Sequence, residues 1–142
     1  MYKTIIFPID VNSKHAWDKS FATVIQLVRT SNAKLYLMTV VPNYGMNLVH
    51  QYFPKGWLEE IMEKVNTELH NIAIKHFPED IKIDYIVERG PIYQCIVDKA
   101  AKLGADLIVM AAHRPELKDY LLGPNAAKVV RHAKTSVLIV RS

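Results

Sequence analysis

The sequence predicts an α/β domain built on a twisted parallel sheet. Short β-rich apolar runs alternate with segments of helical period along the whole chain. One run, Asp106–Met110, is apolar without a break after its first residue, as in a strand covered on both faces. Such alternation implies right-handed crossovers between parallel strands, with helices on both faces of the sheet.

In chain order, Thr4–Ile9 is a β-rich run ending at Asp10. Lys14–Thr30 carries Trp17, Phe21, Val24, Ile25 and Val28 at helical spacing, with Asn12 or Ser13 as cap. Ala33–Val41 is the second strand, closed by Pro42. Asn43–Gly56 is a less regular loop with Tyr44, Tyr52 and Phe53, suited to a lid, a partner surface or plain loop packing. Trp57–Phe77 is a long amphipathic helix through Leu58, Ile61, Met62, Val65, Leu69, Ile72 and Ala73, ended by Pro78. Lys82–Val87 is the third strand, with Ile83, Tyr85 and Val87 on one face and Lys82, Asp84 and Ile86 on the other. Gly90-Pro91 opens the next helix, with proline in its first turn, and Leu103-Gly104 ends it. Asp106–Met110 is followed by a loop through Gly123, a helix over Pro124–Ala133 and a last strand, Ser136–Val140.

The chain has 142 residues, near the usual size of one domain, with no internal repeat, linker or low-complexity tract, so residues 1–142 read as a single domain. Half of the residues are apolar and 23% are charged, an ordinary globular balance. A single cysteine, Cys95, excludes an internal disulfide and fits a reducing compartment. No apolar run approaches the length of a signal-peptide core or a membrane span, so the expectation is a cytoplasmic protein without membrane contact. The net charge of +4 lies entirely in residues 111–142, which hold six Lys/Arg and two acids. A local basic field suits an anionic ligand and is also what a solvated basic surface looks like. No basic run is interleaved with aromatics, which argues against nucleic acid as a partner.

Ligands on such sheets bind outside the carboxyl ends of the strands, where strand order reverses. Pro8-Ile9-Asp10, Val40-Val41 and Met110–His113 can converge there, with the Gly123 turn folding over them. In Leu122-Gly123-Pro124-Asn125-Ala126, glycine lets the backbone turn tightly and proline starts a helix. The N–H groups of Asn125 and Ala126 are then free donors at a positive helix end, suited to phosphate, though the same pentapeptide also reads as a bare helix start. Asp10 can accept bonds from ribose hydroxyls, help hold magnesium, or cap the first helix. His113-Arg114 can bring a cation to phosphates or simply form a surface loop.

Other chemistries find little support. The six histidines do not pair with Cys95 or an acid at metal spacing, and no Gly-x-Ser-x-Gly or P-loop is present. Cys95 falls with Ile92 and Lys99 on a helix pattern that suits a half-buried structural thiol.

The runs Ala105–Pro115, Tyr120-Leu121-Leu122-Gly123, Val129–Ala133 and Ser136–Val140 resemble the universal stress proteins. Within them, His113-Arg114-Pro115 together with Tyr120–Gly123, Asn125-Ala126-Ala127 and Val129–Ala133 is most similar to the F/G-type subgroup. Tyr2–Asp10 is similar to the family's first strand, and Gly90, Ile96 and Ala100 to its third helix. The resemblance implies a five-stranded parallel sheet ordered 3-2-1-4-5, with ATP, with or without Mg²⁺, at the switch between strands one and four. It implies Pro8, Ile9 and Asp10 at ribose and adenine, and Val40 at the adenine edge through its backbone. Met110, Ala111, His113 and Arg114 would line ribose and phosphates, and Gly123, Asn125 and Ala126 would hold phosphates. Nucleotide-binding members carry Gly-x-x-Gly, nine residues, then Gly-Ser/Thr. Here Ala111 and Arg114 stand at the first two glycines, the spacer Pro115–Leu122 is eight residues, and Pro124 stands at the Ser/Thr. Each lost hydrogen bond to a charged group costs about 1.5–3 kcal/mol.

The resulting expectation is an adenine-nucleotide-binding stress-response module, with slow hydrolysis at most and no catalytic or metal-ligating residue of its own. The alternative is an adaptor of the same family that binds no ATP and acts through protein contacts. A true ATP-using enzyme ranks last, because the His-x-x-His and Lys-Met-Ser-Lys-Ser signatures are missing. The apolar Ser136–Val140 strand, last in the implied order, predicts a homodimer through that edge.

Overall fold

The computed structural model describes residues 1–12, 18–42, 56–112 and 123–141. Its strands are β1 (Thr4–Pro8), β2 (Lys34–Val41), β3 (Ile83–Arg89), β4 (Leu107–Ala111) and β5 (Ser136–Val140). Its helices, among the described residues, are α1 (Asp18–Ser31), α2 (Trp57–His76), α3 (Ile92–Leu103) and α4 (Pro124–His132). All strand pairs are parallel, in the order β3-β2-β1-β4-β5.

β1 is central, and its Ile5, Ile6 and Phe7 are 0% exposed. Side chains alternate across a strand, so Ile5 and Phe7 enter one core and Ile6 the other. The first core packs Phe21, Val24 and Val28 of α1 and Leu69, Ile72 and Ala73 of α2 on one face of the sheet. The second packs Ile96 and Ala100 of α3 and Ala126 and Val129 of α4 on the other. The periodicity of these helices therefore marks real core faces, as expected.

Several boundaries differ from the sequence-based expectation, each for a local reason. β3 runs on to Arg89 because its pairing with β2 continues to Val41↔Arg89. Asp106 precedes β4 instead of starting it. Its carboxylate accepts the N–H groups of Lys3 at 2.9 Å and Thr4 at 3.0 Å, tying the start of β4 to the start of β1. Pro91 is not in the first turn of α3. It is the extended N-cap (φ −61°, ψ 130°), and Gly90 before it takes φ +141°. A side chain at position 90 would be strained, and its Cβ would lie 3.1 Å from Cys95 Sγ. Phe77 caps α2 instead of extending it, its N–H donating to Ala73 at 2.8 Å. Ser13, Lys14 and Trp17, and the aromatic loop from Asn43 to Pro54, lie outside the described residues.

The amino-terminal half of α2 is only half-buried, and full burial begins at Leu69. Val65 packs against the edge of the first core, and Ile61 lies one turn before it, toward the carboxyl end of the sheet. Among the described residues no helix is long and apolar enough to cross a membrane.

Candidate functional site

β1 stops two residues before Asp10, while β2 continues to Val41 and β4 to Ala111. Beyond β1 a gap opens between β2 and β4. The last described link of the β1 segment to β2 is the Ile9 N–H donating to the Met38 carbonyl at 2.8 Å. The chain then turns, with Asp10 Oδ1 accepting the Asn12 N–H at 2.9 Å.

Backbone groups of a strand face its two neighbours alternately. The Gly90 N–H donates to the Val41 carbonyl at 3.0 Å, so Val41 faces β3 and Val40 faces the gap. Likewise the Ala112 N–H donates to the Val140 carbonyl at 3.0 Å, so Ala112 faces β5 and Ala111 faces the gap. The N–H and C=O groups of Val40 and Ala111 thus border, from opposite sides, the space that β1 vacates.

A cavity of about 390 Å³ fills this space, within the range of small-molecule sites. It brings together nine of the residues singled out from the sequence: Pro8, Ile9, Asp10, Val40, Met110, Ala111, Gly123, Asn125 and Ala126. His113 and Arg114, the other two, lie outside the described residues. Sequence reasoning missed the helix contributions, Ile61 and Val65 of α2 and Ile92 and Ile96 of α3. Each pair is spaced i, i+4 and was legible as a helix face, but not as a cavity wall. It also missed Thr39, which is 3% exposed and lines the cavity with no hydrogen-bond partner for its hydroxyl among the described residues.

The wall opposite the strands is the amino end of α4. Gly123 is its N-cap and Pro124 is in the first turn, and no side chain caps the helix. The Ala127 N–H donates to the Gly123 carbonyl at 3.0 Å, the first bond of the helix. Asn125 and Ala126 precede it, so their N–H groups are the orphan donors of the first turn, at the positive end of the helix dipole. Gly123 itself is extended, and the residues before it in the expected turn lie outside the described ones. Its φ of −69° and ψ of 165° are open to any residue, so the reason for glycine there is not backbone conformation.

The described lining is mostly apolar, and its only ionisable group is Asp10 at the exposed mouth. No group of three His, Cys, Asp or Glu able to hold a metal occurs among the described residues. Cys95 is half-buried beside the cavity floor, its Sγ 3.6 Å from the Arg89 carbonyl. Burial, with the carboxylates of Glu88 and Asp98, pushes its thiol up, and Lys99 only partly opposes them. That keeps the thiol protonated, so it is a poor nucleophile.

The chain matches the model of the Universal stress protein family over residues 1–141. Universal stress protein G of Escherichia coli O157:H7 is 31% identical over 143 residues, covering 99% of this chain and 100% of that protein. The solved structure of MJ0577, a protein of Methanocaldococcus jannaschii, superposes with a TM-score of 0.75 at 22% identity, covering 100% of this chain and 97% of that one. A universal stress protein solved in complex with cAMP superposes with a TM-score of 0.57 at 26% identity, covering 99% of this chain and 97% of that one.

Proposed function

The chain belongs to the universal stress protein family, and we propose that it is a stress-response module that binds an adenine nucleotide, the class of the ATP that the family resemblance implies. The observation that carries this reading is the pairing of two features across one cavity: the open backbone of Val40 and the uncapped amino end of α4. The first offers a neighbouring donor and acceptor, the pattern that complements the adenine edge. The second offers N–H donors and a positive dipole to phosphate. Between them, Ile92, Ile96 and Met110 give a base apolar surface to pack on, and the methionine sulfur favours aromatic partners. Asp10 is the acceptor for ribose hydroxyls. His113 and Arg114 keep the sequence-based role of a cation beside phosphate. The relative bound to cAMP supports the same ligand class.

The proposal includes no catalytic residue. Asp10, the carboxylate at the crevice, holds the Asn12 N–H and the turn after β1. Its role is binding, and turnover of a bound triphosphate is slow at most.

We further propose a homodimer through β5. This strand is the sheet edge, and Val137–Val140 are only half-buried, so an apolar strand leaves its outer backbone groups for a second copy.

Nucleotide binding is tested by denaturing the purified protein and identifying any released adenine nucleotide, and by thermal unfolding with added ligand. At ~100 times the dissociation constant a ligand adds about 2.7 kcal/mol. Arg114→Ala is expected to reduce the gain. If no adenine nucleotide shifts the transition, the adaptor reading replaces this one.

A further inference from the structure

We propose that the outer surface of α4, with the turn after it, docks an acidic segment of a partner protein through Lys128, Arg131 and Lys134. The proposal is independent of the nucleotide reading, since none of the three lines the cavity.

α4 turns Ala126 and Val129 into the second core. At about 3.6 residues per turn, this leaves Lys128 and Arg131 on the outward side, one turn apart, and both are exposed. Lys134, just past the helix, is exposed as well. Lys128 is held in place by α3. Its Nζ lies 5.2 Å from the centroid of the Tyr93 ring, and the His132 ring stands 5.4 Å from the same centroid. A cation held this way loses less side-chain freedom when a partner binds. The helix dipole accounts for Arg131 and His132 in the last turn, but not for Lys128 in the middle of the helix.

Other described cations are neutralised in place: Arg29 by Asp80, Lys34 by Asp84 and Lys99 by Glu88. Lys128, Arg131 and Lys134 make no ion pair among the described residues. Asp98 of α3 accepts a hydrogen bond from the Gln94 amide at 2.8 Å instead. Residues 123–141 contain no Asp or Glu. The residues outside the described set do not reverse the sign of the charge. They hold four Lys/Arg against two acids, and 113–122 alone holds two of each. Charge complementarity therefore calls for carboxylates, and cations one helical turn apart match carboxylates at a similar spacing. A polynucleotide fits less well, because Tyr93 is engaged by Lys128 and His132 rather than open for base stacking.

The test is fluorescence anisotropy of a labelled Glu-rich peptide titrated with the full chain. A Gln-rich peptide of equal length and a single-stranded oligonucleotide of similar charge are run beside it. The Glu-rich peptide is expected to bind, with affinity falling steeply as salt rises from ~30 to ~300 mM. Lys128→Gln combined with Arg131→Gln is expected to weaken binding about ten-fold, and Lys134→Gln alone about three-fold. Lys64→Gln combined with Lys75→Gln removes the same charge from exposed positions of α2, on the other face of the sheet. That control is expected to bind like the parent. Circular dichroism checks folding, and Lys134→Gln, outside α4, serves where the α4 variant does not fold. Equal losses in the two double variants show an effect of net charge alone and overturn the proposal. So does unchanged affinity in the α4 and Lys134 variants, absence of binding by the Glu-rich peptide, or equal binding of the Gln-rich peptide. Tighter binding of the oligonucleotide than of the Glu-rich peptide overturns the choice of a protein partner.

Discussion

The main-chain N–H of Ile9 donates to the carbonyl of Met38 at 2.8 Å, one residue past the end of β1. This bond marks where the central strand gives up its place in the sheet. Its neighbours β2 and β4 run on, and the crevice is the space between them.

Gly123→Asp separates stability from binding. The extended backbone at Gly123 suits an N-cap, and a carboxylate there accepts the N–H groups of the first turn and favours the dipole. Chemical denaturation is expected to show a gain of a few tenths to about 1 kcal/mol. Ligand-induced stabilisation is expected to vanish, because the new carboxylate occupies the donors and repels phosphate.

Two hydroxyl residues, one in the core and one in the cavity wall, give a contrasting pair. Ser20 of α1 is 1% exposed with no hydrogen-bond partner among the described residues, away from the cavity lining. Thr39 is 3% exposed and lines the cavity. Removing an unpartnered buried hydroxyl relieves desolvation, so Ser20→Ala is expected to stabilise the ligand-free protein by about 1 kcal/mol. Only Thr39→Val is expected to change nucleotide affinity, lowering it several-fold in a titration. Equal affinity in both variants removes Thr39 from the binding surface.

Asp106 makes stability depend on pH. The N–H groups of Lys3, then Thr4, hold its carboxyl below the ordinary carboxylate range. A depressed folded-state value stabilises the protein above the unfolded value of about 3.9, and this contribution is lost as pH falls through the lower folded value. Asp106→Asn is expected to be less stable than the parent at pH 7, by about 1 kcal/mol for a carboxylate partly screened by solvent. Urea denaturation across pH should show that difference shrinking toward acid pH. A constant difference shows that charge is not its source.

Ile139→Pro addresses the proposed dimer. The Ala112 N–H donates to the Val140 carbonyl, so Val140 turns its backbone to β4 and Ile139 turns its own outward. Proline at an outward N–H leaves the β4 ladder intact and removes an edge donor. Sedimentation is expected to show a folded monomer where the parent is a dimer. A parent already monomeric at micromolar concentration refutes the proposal.

The elements themselves were legible. Val24 and Val28, or Ile96 and Ala100, are one helical turn apart, and the unbroken Leu107–Met110 run announces a strand with no exposed face. The strand ends Pro8–Asp10, Val40 and Met110–Ala111 were legible as site candidates because an α/β sheet receives ligands at carboxyl ends. The walls from α2 and α3 were not. Ile61 and Ile92 obey the same spacing as buried core residues, and only the height of each helix against the sheet separates a core contact from a cavity contact. Pro91 and Asp106 were misplaced by one position because capping depends on where the partner backbone lies.

By itself, the sequence determined which segments are strands and helices, because side-chain period is local, and it determined the uncapped start of α4, because Gly123-Pro124 is a local fact. The strand order 3-2-1-4-5 came from family resemblance, not from periodicity. Only the tertiary structure decided that Val40 and Ala111 turn open backbone toward one gap, that Thr39 keeps its hydroxyl at that gap, and that Gly123 has no conformational need to be glycine. Those facts depend on strand register and on where β1 stops, and both are set by packing between segments far apart in the chain.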